Sequence, residues 1–218
     1  MSHAKLVSCA SFAGMFVILT ACGGKIHYPS YYVLNLPRAA PQPGPSKPLK
    51  GSVAIRQFAA PRFLRAGPIV YRQSPEQLGF YNYDRWAIDP RSTVTTAFLQ
   101  VLEARSIFQS VHLFDGGNTS DYLVTGTLDH LEEVDQGRQV FINVSITAQL
   151  VNVKTGDFVW SDVSSESTSL EDHTMPRLIA GMSQAADQAI TNLVASMQRR
   201  LIDLQASAAP DMKGAGQE

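Results

Sequence analysis

Thiols are scarce in this chain: of 218 residues only Cys9 and Cys22 are cysteine. Two cysteines exclude a disulfide framework and a cysteine-ligated metal site. Charge of one sign is lacking too, because 18 Lys and Arg face 19 Asp and Glu, a formal net charge of −1. A chain without a basic excess has no electrostatic footprint for nucleic acid, and no polybasic stretch is present to hold anionic lipid. Catalytic motifs are missing as well. There is no His-Glu-x-x-His, no Gly-x-Ser-x-Gly elbow and no phosphate-cradling glycine loop. His27, His112, His130 and His173 have no partners at metal-ligand spacing and read as scattered surface or strand residues. Glu132, Glu133 and Asp135 lack the spacing of a calcium loop and read as a solvated charged turn. Neither enzymatic activity nor a metal or other cofactor is expected.

A membrane-spanning run is also absent. The most apolar stretch, Leu6 to Ala21, carries Ser8, Ser11 and Thr20 and falls short of the roughly 20 residues a bilayer requires. What that stretch does have is Lys5 before it and Leu19-Thr20-Ala21-Cys22 at its end. A cationic start, an apolar centre and a small residue before the cut form a secretory signal, and the cysteine makes it a lipobox. Residues 1–21 are then signal peptide and Cys22 becomes the lipid-bearing first residue of the mature chain. Cys9 leaves with the signal, so the mature domain has no free thiol and must rely on its core. Its 197 residues suffice for one domain of ordinary size. In lipoproteins with this pattern an aspartate after the cysteine favours the inner membrane. Gly23 stands there, which points to the outer membrane, periplasmic face.

Residues 22–30 make a short lipidated tether, residues 31–205 the domain and residues 206–218 a small, polar, disordered tail. Eight residues lie between Cys22 and Tyr31, at most about 3.6 Å each when extended, so the domain sits within roughly 30 Å of its anchor. Tyr31 to Leu36 is rich in β-formers and ends at Pro37. Pro37, Pro41, Pro43, Pro45 and Pro48 mark an extended connector. Val53 to Ile55, Ile69 to Arg72, Leu78 to Tyr83 and Phe108 to Phe114 read as further strands. Asp89-Pro90 pairs an N-cap with proline at the first helical position, followed by an apolar face of Val94, Ala97, Phe98, Val101 and Leu102. Alternation then predicts two long strands, one around Tyr122, Val124, Gly126 and Leu128, the other lining Val140, Ile142, Val144, Ile146, Ala148 and Leu150 on one face. With Phe158-Val159-Trp160 they form a three-strand antiparallel meander. A second helix, about Pro176 to Leu204, carries Leu178, Met182, Ala185, Ala186, Ala189, Ile190, Leu193, Val194, Met197 and Leu201 on one side. The expected fold is a single α+β domain: a mixed, largely antiparallel sheet packed by two amphipathic helices.

Tyr81, Tyr83, Arg85 and Trp86 crowd a short stretch, and Phe63 and Leu64 stand in an irregular turn. Aromatics and arginine are enriched where proteins meet, so these six residues form the candidate partner interface. A meander with a free outer strand also favours pairing with another copy of the chain.

The lipobox, Tyr32-Val33-Leu34, Ile69-Val70-Tyr71-Arg72 and Arg85-Trp86-Ala87 ahead of a helix succeed one another in a recognisable order. In this the chain resembles the ABC-type transport auxiliary lipoproteins, also called PqiC-like lipoproteins. The family has an acidic residue and a proline soon after the tryptophan, and Ile88-Asp89-Pro90 keeps that character here. The resemblance implies a non-catalytic periplasmic domain, held to a membrane by its N-terminal lipid. Such proteins accompany an inner-membrane ABC transporter and a substrate-binding partner of the mammalian-cell-entry (MCE) type in moving lipids between membranes, and a homo-oligomer is part of that picture. The residues alone leave open a solute-binding lipoprotein of an ABC importer and an accessory factor of envelope assembly or of a cell-wall enzyme.

Overall fold

Alternation between Tyr122 and Leu128 becomes, in three dimensions, the spine of an eight-stranded sheet. The structure is a computed structural model that describes residues 27–41, 49–117, 120–137, 139–171 and 173–207. The signal, Cys22 and residues 208–218 lie outside the described residues. The strands are β1 (Ser30–Tyr32), β2 (Leu49–Ile55), β3 (Gly67–Ser74), β4 (Gln77–Trp86), β5 (Phe108–Leu113), β6 (Tyr122–Gln136), β7 (Gln139–Asn152) and β8 (Phe158–Leu170). The helices are α1 (Pro90–Ala104) and α2 (Met175–Ser207).

β6 has two different edges. Along one it pairs antiparallel with β7 from Tyr122↔Asn152 to Gln136↔Gln139, and β7 pairs antiparallel with β8. The other edge is shared. Parallel β2 takes its first part, Val53↔Tyr122 to Ile55↔Val124, and parallel β3 takes its last, Tyr71↔Glu133 and Arg72↔Val134. β2 then carries β5, while β3 carries β4 and β4 carries β1. The mixed sheet stays open, with the predicted meander as its longest part.

Both helices cover one face. Every apolar position predicted for α1 is buried, and so is every one predicted for α2. Gly181 of α2 faces β7, where an added β-carbon would meet Ile142 Cδ1, so glycine leaves room for that side chain. α2 outruns its expected end at Leu204 by three residues and takes in Ala206 and Ser207, which the composition placed in the tail. Asp89 caps α1 as expected, its carboxylate accepting from Arg91 N at 3.0 Å. Burial would push that carboxyl up, but the hydrogen bonds from the Arg91 side chain and backbone outweigh it and hold it low.

The first strand is shorter than its β-formers suggest. It leaves the sheet after Tyr32 because α2 captures the next residues: Leu34 is buried and Asn35 N donates to Ser183 Oγ at 3.0 Å. Tertiary contact overrides local propensity here.

Asp121 ties three elements together at the start of β6. Its carboxylate accepts from Ser52 N at 2.9 Å and from Lys154 Nζ at 2.8 Å. The Lys154 hydrogen bond, then the Ser52 N–H, hold its pKa down from 3.8 to about 2. A carboxyl lowered in the folded state stabilises fully above its unfolded pKa, and that stability is lost as pH falls through the folded value. Urea midpoints for the protein and Asp121→Asn should therefore differ by a constant amount above about pH 5 and converge toward pH 2. A gap that persists unchanged at pH 2 would show that the ionised carboxylate is not what stabilises the fold at this position.

Candidate functional site

The six residues singled out as an interface do not stay together. Leu64 is a correction. It ends a short 3-10 turn, Arg62–Leu64, and is 0 % exposed, while Phe63 is half-buried against the core. The link from β2 to β3 runs along the edge of β6, with Ala59 bridged to Thr127, and this path lays Leu64 into the core. Trp86 is a second correction: it is 4 % exposed and belongs to the core, paired with Tyr32 on one side and Gly67 on the other.

Tyr81 is half-buried and structural. Its hydroxyl donates to Glu133 Oε2 at 2.8 Å and its ring meets Tyr71 edge-on at 5.1 Å. Burial first, then Glu133, pushes its pKa well above the ordinary tyrosine value. Tyr71 in turn lies over Gly79, where a β-carbon would clash with the ring. Glycine at this position permits the close approach.

Tyr83 and Arg85 do reach the surface, and the structure adds neighbours that the sequence pattern marks only as strand or tether. β1 runs beside the end of β4, Ser30↔Asp84 and Tyr31↔Arg85, and the His27 ring stacks against Tyr83 at 5.2 Å. Tyr28, Tyr31 and Tyr83 are 78, 62 and 50 % exposed, with Phe80 and Ile88 also exposed nearby on the chain. An aromatic edge thus forms where the tether enters the domain. The signal that could have found it is Tyr28 and Tyr31 themselves, two tyrosines that nothing in the sequence pattern requires to be buried.

Beside this edge a groove of about 580 Å³ opens between the N-terminal segment and α2, lined by Tyr31, Val33, Pro37, Ile179 and Asp187 among others. Burial raises the Asp187 pKa.

The charged turn departs most from expectation. A bulge between Leu128 and His130 shifts the alternation of β6, so Leu131 faces the helices opposite Val144 and Glu132 faces the other side opposite Asn143. Glu132 is not solvated: it is 0 % exposed. Its Oε1 accepts from Arg72 Nε at 2.8 Å and meets His130 Nδ1 at 3.0 Å, and Oε2 accepts from Arg72 Nη2 at 3.0 Å. Arg72 Nη1 donates to Pro75 O at 2.9 Å, and its hydrogen bonding to Glu132 raises the guanidinium pKa. A bidentate arginine on a carboxylate is a strong, directional pairing. Both oxygens are engaged, so this is a closed ion network joining β3 to β6. Among the described residues no group of three His, Cys, Asp or Glu is placed to hold a metal ion.

An open mixed sheet with two helices on one face, an exposed aromatic edge and a surface groove defines a single-domain α+β protein. The chain belongs to the ABC-type transport auxiliary lipoprotein component family, whose model matches residues 32–194. It is therefore an auxiliary lipoprotein of an ABC-type transport system, membrane-anchored by family, and the family is not one of enzymes. No described helix is long and apolar enough to cross a membrane. Among solved structures the fold is similar to protein XCC0632 from Xanthomonas campestris, of the family DUF330, at 19% identity and a TM-score of 0.68 over 83% of this chain and 100% of that one. A second, an uncharacterized protein, gives 16% identity and a TM-score of 0.59 over 77% of this chain and 97% of that one. No functionally curated protein matches.

Proposed function

We propose that this protein is a periplasmic accessory subunit, anchored by lipid on Cys22 to the outer membrane, that docks to the MCE-type component of an ABC-driven system moving lipids between membranes. Family membership carries the reading. The lipobox Leu19 to Cys22, Gly23 after it and the short tether support the anchor and its location. The role is positional: the lipid fixes the domain to one membrane and the domain captures the partner that brings or removes hydrophobic cargo. Among the described residues the outer edge of β8 is unpaired, and that is where a second copy would pair.

Affinity purification of the intact lipoprotein from detergent-solubilised membranes should recover an MCE-type protein, and density-gradient fractionation should place the lipoprotein with the outer membrane. Repeated recovery of the bait with no MCE-type protein, while a known transporter pair is recovered in parallel, would sink the docking reading. Fractionation with the inner membrane would overturn the location alone.

A further inference from the structure

We propose that the β1–β4 edge is the protein's seat on the bilayer, with Tyr28, Tyr31 and Tyr83 lying at headgroup level. The inference rests on lipidation of Cys22 and adds an orientation to it. Five residue steps separate Cys22 from His27, which reach at most about 18 Å when fully extended. His27 is itself held, its ring stacked on Tyr83 at 5.2 Å. The described chain therefore enters the domain at this edge, and a lipid on Cys22 would keep the edge close to the membrane. The headgroup layer of each leaflet is about 5–8 Å thick, so the span left for water is small.

The chemistry of the edge suits that position. Three largely exposed tyrosines carry apolar rings and polar tips, the combination enriched where membranes meet water. Arg85, half-buried and paired in register with Tyr31, adds a cation for lipid phosphates at the same edge. A protein partner would also favour aromatics, but the described chain enters the domain at this edge, which puts it within the tether's reach of lipid. With β1 against the membrane, β8 stands five strand spacings away, about 24 Å at ~4.8 Å each. Its free edge then faces the periplasm, open to protein.

The full lipoprotein reports this directly, because acylation occupies Cys22 and Cys9 lies in the signal, leaving an introduced cysteine as the sole reactive thiol. Tyr83→Cys and, on the exposed β7–β8 turn, Thr155→Cys carry an environment-sensitive dye in vesicles of phosphatidylethanolamine and phosphatidylglycerol. Spin-labelled lipid should quench the dye at 83 several-fold more than the dye at 155. Replacing Tyr28 and Tyr31 by serine should bring position 83 toward the level at 155. Tyr28→Cys, at a side chain outside every strand pairing, repeats the measurement should Tyr83→Cys disturb the His27 stack. Equal, water-like behaviour at 28, 83 and 155 in protein that incorporates palmitate would overturn the seat while leaving the anchor intact. Failure to incorporate palmitate would overturn both.

Discussion

Arg72→Met should cost about 3–5 kcal/mol of folding stability, the magnitude expected when one partner of a buried ion pair is removed. The reason is asymmetry of burial. Arg72 is 19 % exposed and can reach water, whereas Glu132 is 0 % exposed and cannot. Without the guanidinium the carboxylate keeps only the His130 contact. Replacing both members, Arg72→Met with Glu132→Leu, should recover most of the loss, because the pair repays its desolvation poorly against apolar side chains of similar size. Urea unfolding of the two single variants and the double variant supplies the cycle that isolates the coupling. A loss below about 1 kcal/mol for Arg72→Met would mean that the pair behaves as a surface ion pair, with Glu132 open to solvent.

Phe58→Ala is the second large loss, again about 3–5 kcal/mol. Phe58 is fully buried, stacks on Phe98 with centroids 5.3 Å apart, and comes after β2 at the point where its backbone N donates to Thr95 Oγ1 of α1. Truncation removes the apolar contact and leaves a void between the sheet and α1. For a domain of this size the melting temperature should fall by roughly 10 °C, at about 2–4 °C per kcal/mol. The site has a counterpart on β6. A β-carbon at Gly126 would lie 2.6 Å from the Phe58 ring and 2.7 Å from Thr147 O. Gly126→Ala should thus cost about 1–3 kcal/mol through overpacking. Part of that cost should vanish in the Phe58→Ala background, since the ring is gone while Thr147 O remains. Strictly additive losses would show that ring and glycine do not share the space.

These two sites differ in how far they could be foreseen. Phe58 is a large aromatic just past a recognisable strand, a residue type that is ordinarily buried, although it falls off that strand's alternation. The Glu132 network could not be anticipated, because one extra residue in β6 moves Glu132 to the face opposite the helices. Arg72 reaches it only because β3 happens to share the edge of β6 with β2. The interface residues show the same division. Trp86 and Leu64 are apolar enough to be either core or contact, and their position against neighbours decides. Tyr83 stays exposed, and only the fold brings the His27 ring against it.

By itself the sequence determined the start of α1, the buried faces of α1 and α2, the β6–β7–β8 meander and the family. All of these rest on local periodicity, on capping, or on a motif read in one stretch of chain. Only the tertiary structure decided the order of the strands, the bulge that buries Glu132, the early departure of the first strand and the aromatic edge where the tether enters. Each depends on which distant segment arrives alongside, and packing between segments far apart in the chain leaves no periodic trace in either of them.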